Sequence, residues 1–222
     1  MIGDIFATVL LPIILPMEMI FDALWAFVGS AGVSIITLAL IVSLLTIPLK
    51  KWAGKVEDEF FAFKQSVDTE VAEKTLGLKG EKRFTIVEAI YEKHGYHPIK
   101  SIISGASFIV ILPFLISAIF IFGNADSLTD VSFLLVDDLS AQDQLLLGIN
   151  LLPILMLVLG VGDAMLRWRN QRDQLVRYLV ISLILIVLVY TLSSALILYW
   201  ISMNFWSFLI FFLTSRVSIK SI

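Results

Sequence analysis

The sequence predicts an all-α polytopic membrane protein with five core transmembrane helices, an N-terminal interfacial helix and a cytoplasmic helical hairpin. Its 222 residues are 59% hydrophobic and the mean hydropathy is +0.94, which is typical of an integral membrane protein. All 16 lysines and arginines fall within three windows, residues 50–100, 167–177 and 216–220. Because basic residues beside membrane spans stay on the cytoplasmic side, these windows mark the cytoplasmic segments.

The N-terminal segment, residues 1–29, is predicted to be an outer-face helix that is amphipathic over residues 5–28. Two prolines interrupt its apolar first half and two acidic residues follow them, so we do not expect a clean crossing. An additional, weakly hydrophobic span is the alternative. The interrupting residues are Pro12, Pro16, Glu18 and Asp22.

Residues 30–49 form the first predicted span, since about 20 apolar residues cross a hydrocarbon core about 30 Å thick. The span ends at Lys50 and Lys51, so it runs from the outside to the cytoplasm. In the cytoplasmic segment 50–100, two amphipathic stripes separated by a glycine-containing turn predict a helical hairpin. The stripes are Val56, Phe60, Phe63, Val67 and Val71, and then Phe84, Val87 and Tyr91.

The rest of the chain contains four more predicted spans. The apolar stretch between two cytoplasmic arginine windows must cross an even number of times, which predicts two short spans and a tight turn near Ser193-Ser194. The N-terminus is therefore expected outside and the C-terminus inside. The segments are 101–122 (second span), 123–145 (external loop, with five aspartates and no basic residue), 146–165 (third span), 166–177 (cytoplasmic loop), 178–215 (fourth and fifth spans) and 216–222 (cytoplasmic tail).

We expect no enzymatic activity. No predicted span contains a histidine or lysine that could act as the base of an intramembrane hydrolase. His94 and His97 have only Glu88 and Glu92 as nearby ligand types, which favours surface histidines over a metal site. The chain has no cysteine, and no glycine-rich loop precedes a Lys-Ser/Thr pair. No metal, cofactor or nucleic-acid specificity is therefore expected.

Small polar residues recur inside the predicted spans and have two possible roles. They can pack helices together and satisfy backbone carbonyls, which is the better interpretation for most of them. Alternatively, some of them line a weakly polar groove that lowers the cost of bringing polar chain into the bilayer.

Four motifs occur in order along this topology. They are Gly29 to Pro48-Leu49, Ile90-Tyr91 to His97-Pro98, Asp138-Leu139-Ser140 with Asp143 and Leu152-Pro153, and Leu198-Tyr199-Trp200 to Asn204. They resemble, in turn, the first core span, the stretch ahead of the second span, the external loop with the start of the third span, and the last span of the YidC/Oxa family of membrane insertases. The resemblance covers about residues 20–214.

The resemblance implies a Sec-independent insertase and chaperone of a bacterial inner membrane. A groove that is open to the cytoplasm and to lipid, and closed to the outside, would receive a hydrophilic client segment, since unsatisfied polar backbone in hydrocarbon costs several kcal/mol. The implied partners are newly made membrane proteins and the lipid bilayer, with the ribosome and Sec translocon, or one dedicated membrane partner, as further options.

The resemblance also supplies two sets of candidate site residues. The candidates for the groove and for client contact are Thr37, Ser43, Thr46, Ser104, Ser107, Tyr199, Trp200 and Asn204. The candidates for cytoplasmic contact with a client or the ribosome are Lys50, Lys51, Arg167 and Arg169.

The chain departs from the family pattern at several positions. Bacterial members commonly carry one arginine in the groove, and the aligned position here is Ser43. A frequent glutamine of the second span corresponds to Ile111, and the asparagine before the proline corresponds to His97. The tail has two basic residues, fewer than tails that dock ribosomes. We therefore expect no electrostatic capture of acidic client segments. The alternative function is an insertase-like scaffold or dedicated chaperone subunit of one membrane complex.

Overall fold

The computed structural model describes residues 2–97, 103, 105–123, 126–167 and 172–219. In these ranges the chain is all-helical, which confirms the predicted class, and it contains seven α-helices and no β-strand. It forms two compact units, residues 1–45 with 113–222, and residues 46–112. The helices are α1 (Ile2–Val28), α2 (Ala31–Lys74), α3 (Gly80–Lys93), α4 (Ala106–Phe122), α5 (Leu151–Arg167), α6 (Arg172–Val189) and α7 (Ser194–Ile219).

Helix α1 continues through both prolines, which lie on its exposed face. The buried stripe on its other face ends at Phe21, whose ring packs edge-on against the ring of Phe122 with centroids 5.1 Å apart. The segment Thr8–Val28 is long and apolar enough to cross a membrane by length and composition. Continuity of the helix removes the proline argument against a clean crossing, and the two acidic residues remain. Its placement on or across the membrane stays a prediction. The buried stripe is Leu10, Ile14, Met17 and Phe21.

Helix α2 is 44 residues long and passes without interruption through Pro48 and the predicted boundary between residues 49 and 50. Two described helices are long and apolar enough to cross a membrane, and the N-terminal part of α2 is the more apolar of them, with a mean hydropathy of 2.3 over 18 residues. The predicted first span and the first arm of the predicted hairpin are thus one helix.

Helix α5 packs against both α6 and α7 in the first unit. Met156, Val189, Ile197 and Ile201 form the buried cluster between them. By contrast, α6 leaves most of its large apolar side chains exposed, as expected for a surface that faces lipid rather than water. The chain turns at residues 190–193, beside the predicted Ser193-Ser194 turn. The number of crossings stays a prediction.

In the second unit, the C-terminal part of α2 lies beside the end of α3. Phe60 and Val67 of the predicted stripe are buried, together with Ile90 of α3. Phe84, on the second predicted stripe, is 66% exposed. The described contacts with α2 come from the C-terminal end of α3 and the residues after it, where the ring of Tyr96 lies tilted 6.1 Å from that of Phe63. Phe84 lies near the opposite end of α3.

Candidate functional site

Ser43, the residue aligned with the family's groove arginine, is fully buried at a contact between α2 and α7. Its Oγ donates a hydrogen bond to the Sδ of Met203, 3.2 Å away. Met203 is itself 4% exposed, so it covers the serine. A thioether is a weak acceptor on a flexible side chain. Position 43 is therefore neutral and filled, and a larger side chain would fit there only if Met203 moved.

A second contact joins the same two helices. The Nε1 of Trp206 donates to the backbone carbonyl of Ile36, the sixth residue of α2, at 3.1 Å. Thr37, a groove candidate, donates its hydroxyl to the carbonyl of Val33 in its own helix at 2.8 Å. Thr37 thus satisfies its own helix backbone, which favours the packing interpretation for this residue.

Three buried polar atoms have no hydrogen-bond partner among the described residues: the Oγ of Ser117, the hydroxyl of Tyr199 and the Nε1 of Trp200. Tyr199 and Trp200 were groove candidates; Tyr199 is fully buried, with its ring 5.9 Å from that of Phe122. Leaving such a group unpaired costs about 1–3 kcal/mol. These atoms are therefore places where water or a polar group of a client would gain a hydrogen bond. Asn204, further along α7, is half-buried.

The second unit contains a separate contact at the start of α4. The carboxylate of Glu57 accepts a hydrogen bond from the backbone N of Ser107 at 2.7 Å and from its Oγ at 3.0 Å. Ser107 is the second residue of α4, where backbone N–H groups have no partner within the helix and the helix dipole favours a negative charge. Thr46 is fully buried in this unit, and Ser104 lies outside the described residues.

The basic candidates are described only in part. Lys50 is half-buried and Lys51 is exposed on α2. Arg167 is the last residue of α5, and its side chain, like all of Arg169, lies outside the described residues.

The sequence patterns did not single out Met203, Trp206 or Glu57. Met203 and Trp206 resemble ordinary apolar residues of a span, and Glu57 resembles one more charge on the solvated face of an amphipathic helix. Only the meeting of two distant helices gives each of them its role.

Residues 138–150, here called the outer cap, bind the turn between α6 and α7. The carbonyl of Ala141 accepts hydrogen bonds from both the N and the Oγ of Ser194, each at 2.7 Å. The carbonyl of Leu139 accepts from the N of Ala195 at 2.9 Å. The Oγ of Ser193 donates to the carbonyl of Phe122 at 2.8 Å, which adds the end of α4. The cap is therefore bound to the turn between α6 and α7, and Ser193 of that turn is itself bound to the end of α4.

Asn150 is the centre of this cap and is 2% exposed. Its Nδ2 donates to the carbonyl of Tyr190 at 2.7 Å and to the Oε1 of Gln142 at 3.2 Å. Its Oδ1 accepts from the backbone N of Gln144 at 3.2 Å, and its own N donates to the Tyr190 hydroxyl at 3.3 Å. All four of these groups are uncharged.

Two aspartates complete the cap. The Oδ2 of Asp143 accepts from the N of Leu151 at 2.5 Å and from the N of Leu152 at 3.2 Å, which caps the start of α5. Asp138 accepts from the N and Oγ of Ser140, each at 2.8 Å. Burial acts to raise the pKa of Asp138, but the hydrogen bonds led by those of Ser140 outweigh it and hold that pKa below its ordinary value.

The chain was compared with known proteins. The model of the family described as 60Kd inner membrane protein matches residues 23–221. No curated protein matches the chain.

Proposed function

The chain belongs to the 60Kd inner membrane protein family, the YidC/Oxa type, and we propose that it helps newly made inner-membrane proteins to insert and fold. The family gives the chain a membrane insertase-type role in general, and the match over residues 23–221 is the observation that carries the proposal. In this proposal the protein acts by binding its clients rather than by catalysing a reaction, and it needs no metal or cofactor.

The proposed topology has five core spans, the N-terminus outside, and both the α2–α3 hairpin and the C-terminus in the cytoplasm. The three basic windows support it, since all 16 lysines and arginines then face the cytoplasm. The outer cap supports it as well. A cap bound to the turn between α6 and α7, which itself contacts the end of α4, would close the outer side of a groove that opens towards the cytoplasm and lipid.

The proposed client surface is neutral and adaptable. Ser43 is covered by Met203, and methionine suits surfaces that bind varied apolar segments because its unbranched side chain repacks easily. The unpaired polar atoms of Ser117, Tyr199 and Trp200 could receive hydrogen bonds from, or donate them to, a passing client backbone. Such a surface lowers the cost of polar chain in the bilayer without attracting charge.

The test is complementation of a strain depleted of its own insertase. We expect the unmodified chain to restore growth, and to insert a client with an acidic N-terminal segment and a neutralised version of that client equally well. Ser43→Arg should lower the amount of folded protein, because it places an uncompensated charge in a filled, buried position, at a cost of several kcal/mol. Ser43→Ala is the matched control and should retain activity.

Protein amount in the membrane fraction separates loss of folding from loss of function. Insertion that depends on the acidic residues of the client would contradict a neutral client surface. Rescue by Ser43→Arg alone would indicate a specialised or inactive groove in the natural chain.

A scaffold or dedicated chaperone subunit of one membrane complex is the second candidate function. The uncharged Ser43–Met203 contact favours this candidate more than a groove arginine would. A protein with one fixed partner needs no charged residue that attracts many different clients. Copurification of a single stoichiometric membrane protein, without rescue of the depleted strain, would decide for this candidate. Ribosome or Sec contacts through Lys50, Lys51, Arg167 or Arg169 stay a prediction.

A further inference from the structure

Two tight turns in the segment before α5 expose leucine side chains. In the first, Phe133 and Val136 exchange backbone hydrogen bonds of 2.8 and 3.0 Å, and in the second, Leu146 and Ile149 do so at 3.4 and 2.8 Å. The central residues of the two turns, here called the turn tips, are exposed on the surface of the chain. Leu134 is 86% exposed, Leu135 79% and Leu147 99%.

The backbone at two of these tip residues, Leu134 and Leu147, is unsuited to leucine. Leu134 has φ +53° and Leu147 has φ +51°, followed by Gly148 at +84°. Two successive positive φ angles are those of a type I′ turn, in which asparagine or aspartate before glycine is the favoured pair. For leucine, a positive φ is an unfavourable backbone conformation, and burial within the chain does not offset this cost here. The exposed apolar side chains are therefore available for a contact outside the chain.

Exposure of the tips does not result from a loose loop. The Phe133 ring occupies the space that any side chain at Gly32 would need, which fixes the first turn against the beginning of α2. Val136, in the same turn, is buried. The second turn runs directly into the buried Asn150, one residue before α5. Each tip is thus held beside the first turn of an apolar helix, α2 or α5.

The position and chemistry of the tips fit a lipid surface. The first turn of a membrane helix lies near the boundary between headgroups and acyl chains. Exposed apolar residues continue from the second tip onto α5, at Ile154, Leu155 and Val158. Residues 101–166 contain no lysine or arginine, whereas the loop contains five aspartates. Attraction to anionic headgroups is therefore absent, and burial of apolar side chains remains as the driving force.

We propose that the turn tips at Leu134-Leu135 and Leu147 insert into the interface of the adjacent membrane leaflet and hold the outer cap against the bilayer. This role needs no client and does not depend on insertase activity. It gives the loop a lipid-binding function besides closing one end of the helices.

The absence of cysteine makes the test direct. The full chain carrying Leu147→Cys or Leu135→Cys is labelled with a nitroxide and reconstituted into phosphatidylcholine vesicles without any client. Leu135 has no positive φ, so its replacement leaves the strained positions unchanged. Ser132→Cys and Asp137→Cys, at exposed positions flanking the first turn, are the matched controls. Accessibility of each label to oxygen and to a water-soluble nickel complex is measured by electron paramagnetic resonance.

We expect the ratio of oxygen to nickel accessibility to be severalfold higher at the tips than at the controls. Tip labels as accessible to nickel as the control labels would overturn the proposal. If such labels became protected only when a client was added, the tips would instead be a protein-binding surface. Circular dichroism of each labelled chain shows whether the helices have formed, and agreement between the Leu135 and Leu147 variants excludes an effect of altered turn strain.

Discussion

One central polar side chain holds the outer cap, and another holds the C-terminal part of α2 against α3, here called the α2–α3 arm. The chemistry of these two side chains differs. In the cap, the nearly inaccessible Asn150 pairs with uncharged groups. In the arm, the Glu70 side chain is 18% exposed and binds three basic side chains. We call this group the Glu70 cluster: Lys74 at 2.6 Å, Lys93 at 2.9 Å and His94 at 2.5 Å from the Glu70 carboxylate.

The difference predicts different sensitivities. Buried hydrogen bonds between neutral groups keep their strength in salt and over a wide pH range, whereas partly exposed ion pairs are screened within about 10 Å at 0.1 M salt. The cap should therefore stay closed under conditions that loosen the arm. Such a stable cap suits the closed outer side of the groove proposed above.

The largest expected effect is that of Asn150→Ala. The replacement removes three side-chain hydrogen bonds and leaves the Tyr190 carbonyl and the Gln144 N–H without this partner. We expect a loss of about 2–3 kcal/mol in the free energy of unfolding, measured by denaturant titration in detergent. Gln144→Ala is the control, because Gln144 contributes its backbone N–H to this network. Equal losses in the two variants would show that the Asn150 network does not hold the cap.

A smaller effect is expected for Asp143→Ala, which removes the cap of α5. Loss of such an N-cap costs about 1 kcal/mol, and hydrogen exchange should rise at Leu151 and Leu152, whose N–H groups the carboxylate accepts. Asp143→Asn keeps an acceptor oxygen and should lose less. If both variants exchanged as slowly as the natural chain, the cap would not depend on this carboxylate.

The smallest effect on overall stability, and the sharpest contrast with the cap, is expected for Glu70. Hydrogen bonds from Lys74, then Lys93 and His94, hold the pKa of the Glu70 carboxyl well below its ordinary value. Because this pKa is lower in the folded than in the unfolded chain, the cluster stabilises the arm at neutral pH. That contribution is lost as the pH falls from the ordinary glutamate pKa, about 4.3, towards the lower folded value.

Hydrogen exchange of α3 at neutral and acidic pH measures this contribution. We expect protection of α3 to fall in acid or at high salt in the natural chain, and Glu70→Gln to remove both dependences. Glu73→Gln, an exposed carboxylate on the same helix, should leave them unchanged. Protection of the outer cap that fell in parallel with that of α3 would erase the proposed difference between the two regions.

Helix positions could be predicted where a local pattern is strong. The buried Phe60 and Val67 lie on the predicted stripe of α2, because a spacing of three or four residues places side chains on one face of a helix. Phe84 lies on the second predicted stripe but is exposed, and the periodicity does not tell which part of a helix has a neighbour within the chain. Helix α2 continues past residue 49, the predicted end of the span, since a change from apolar to charged side chains alters the surroundings of a helix without interrupting its backbone hydrogen bonds.

The sequence by itself determined the membrane class, the helical content, the family and the distribution of charge, because hydropathy, periodicity and motif order are properties of neighbouring residues. It also showed that position 43 carries no charge. Only the tertiary structure decided what surrounds that position: Met203, 160 residues away, covers Ser43. It likewise brought Glu57 to the start of α4 and Asn150 to the turn after α6. These contacts depend on which helices meet and at what height, and no local pattern encodes that choice.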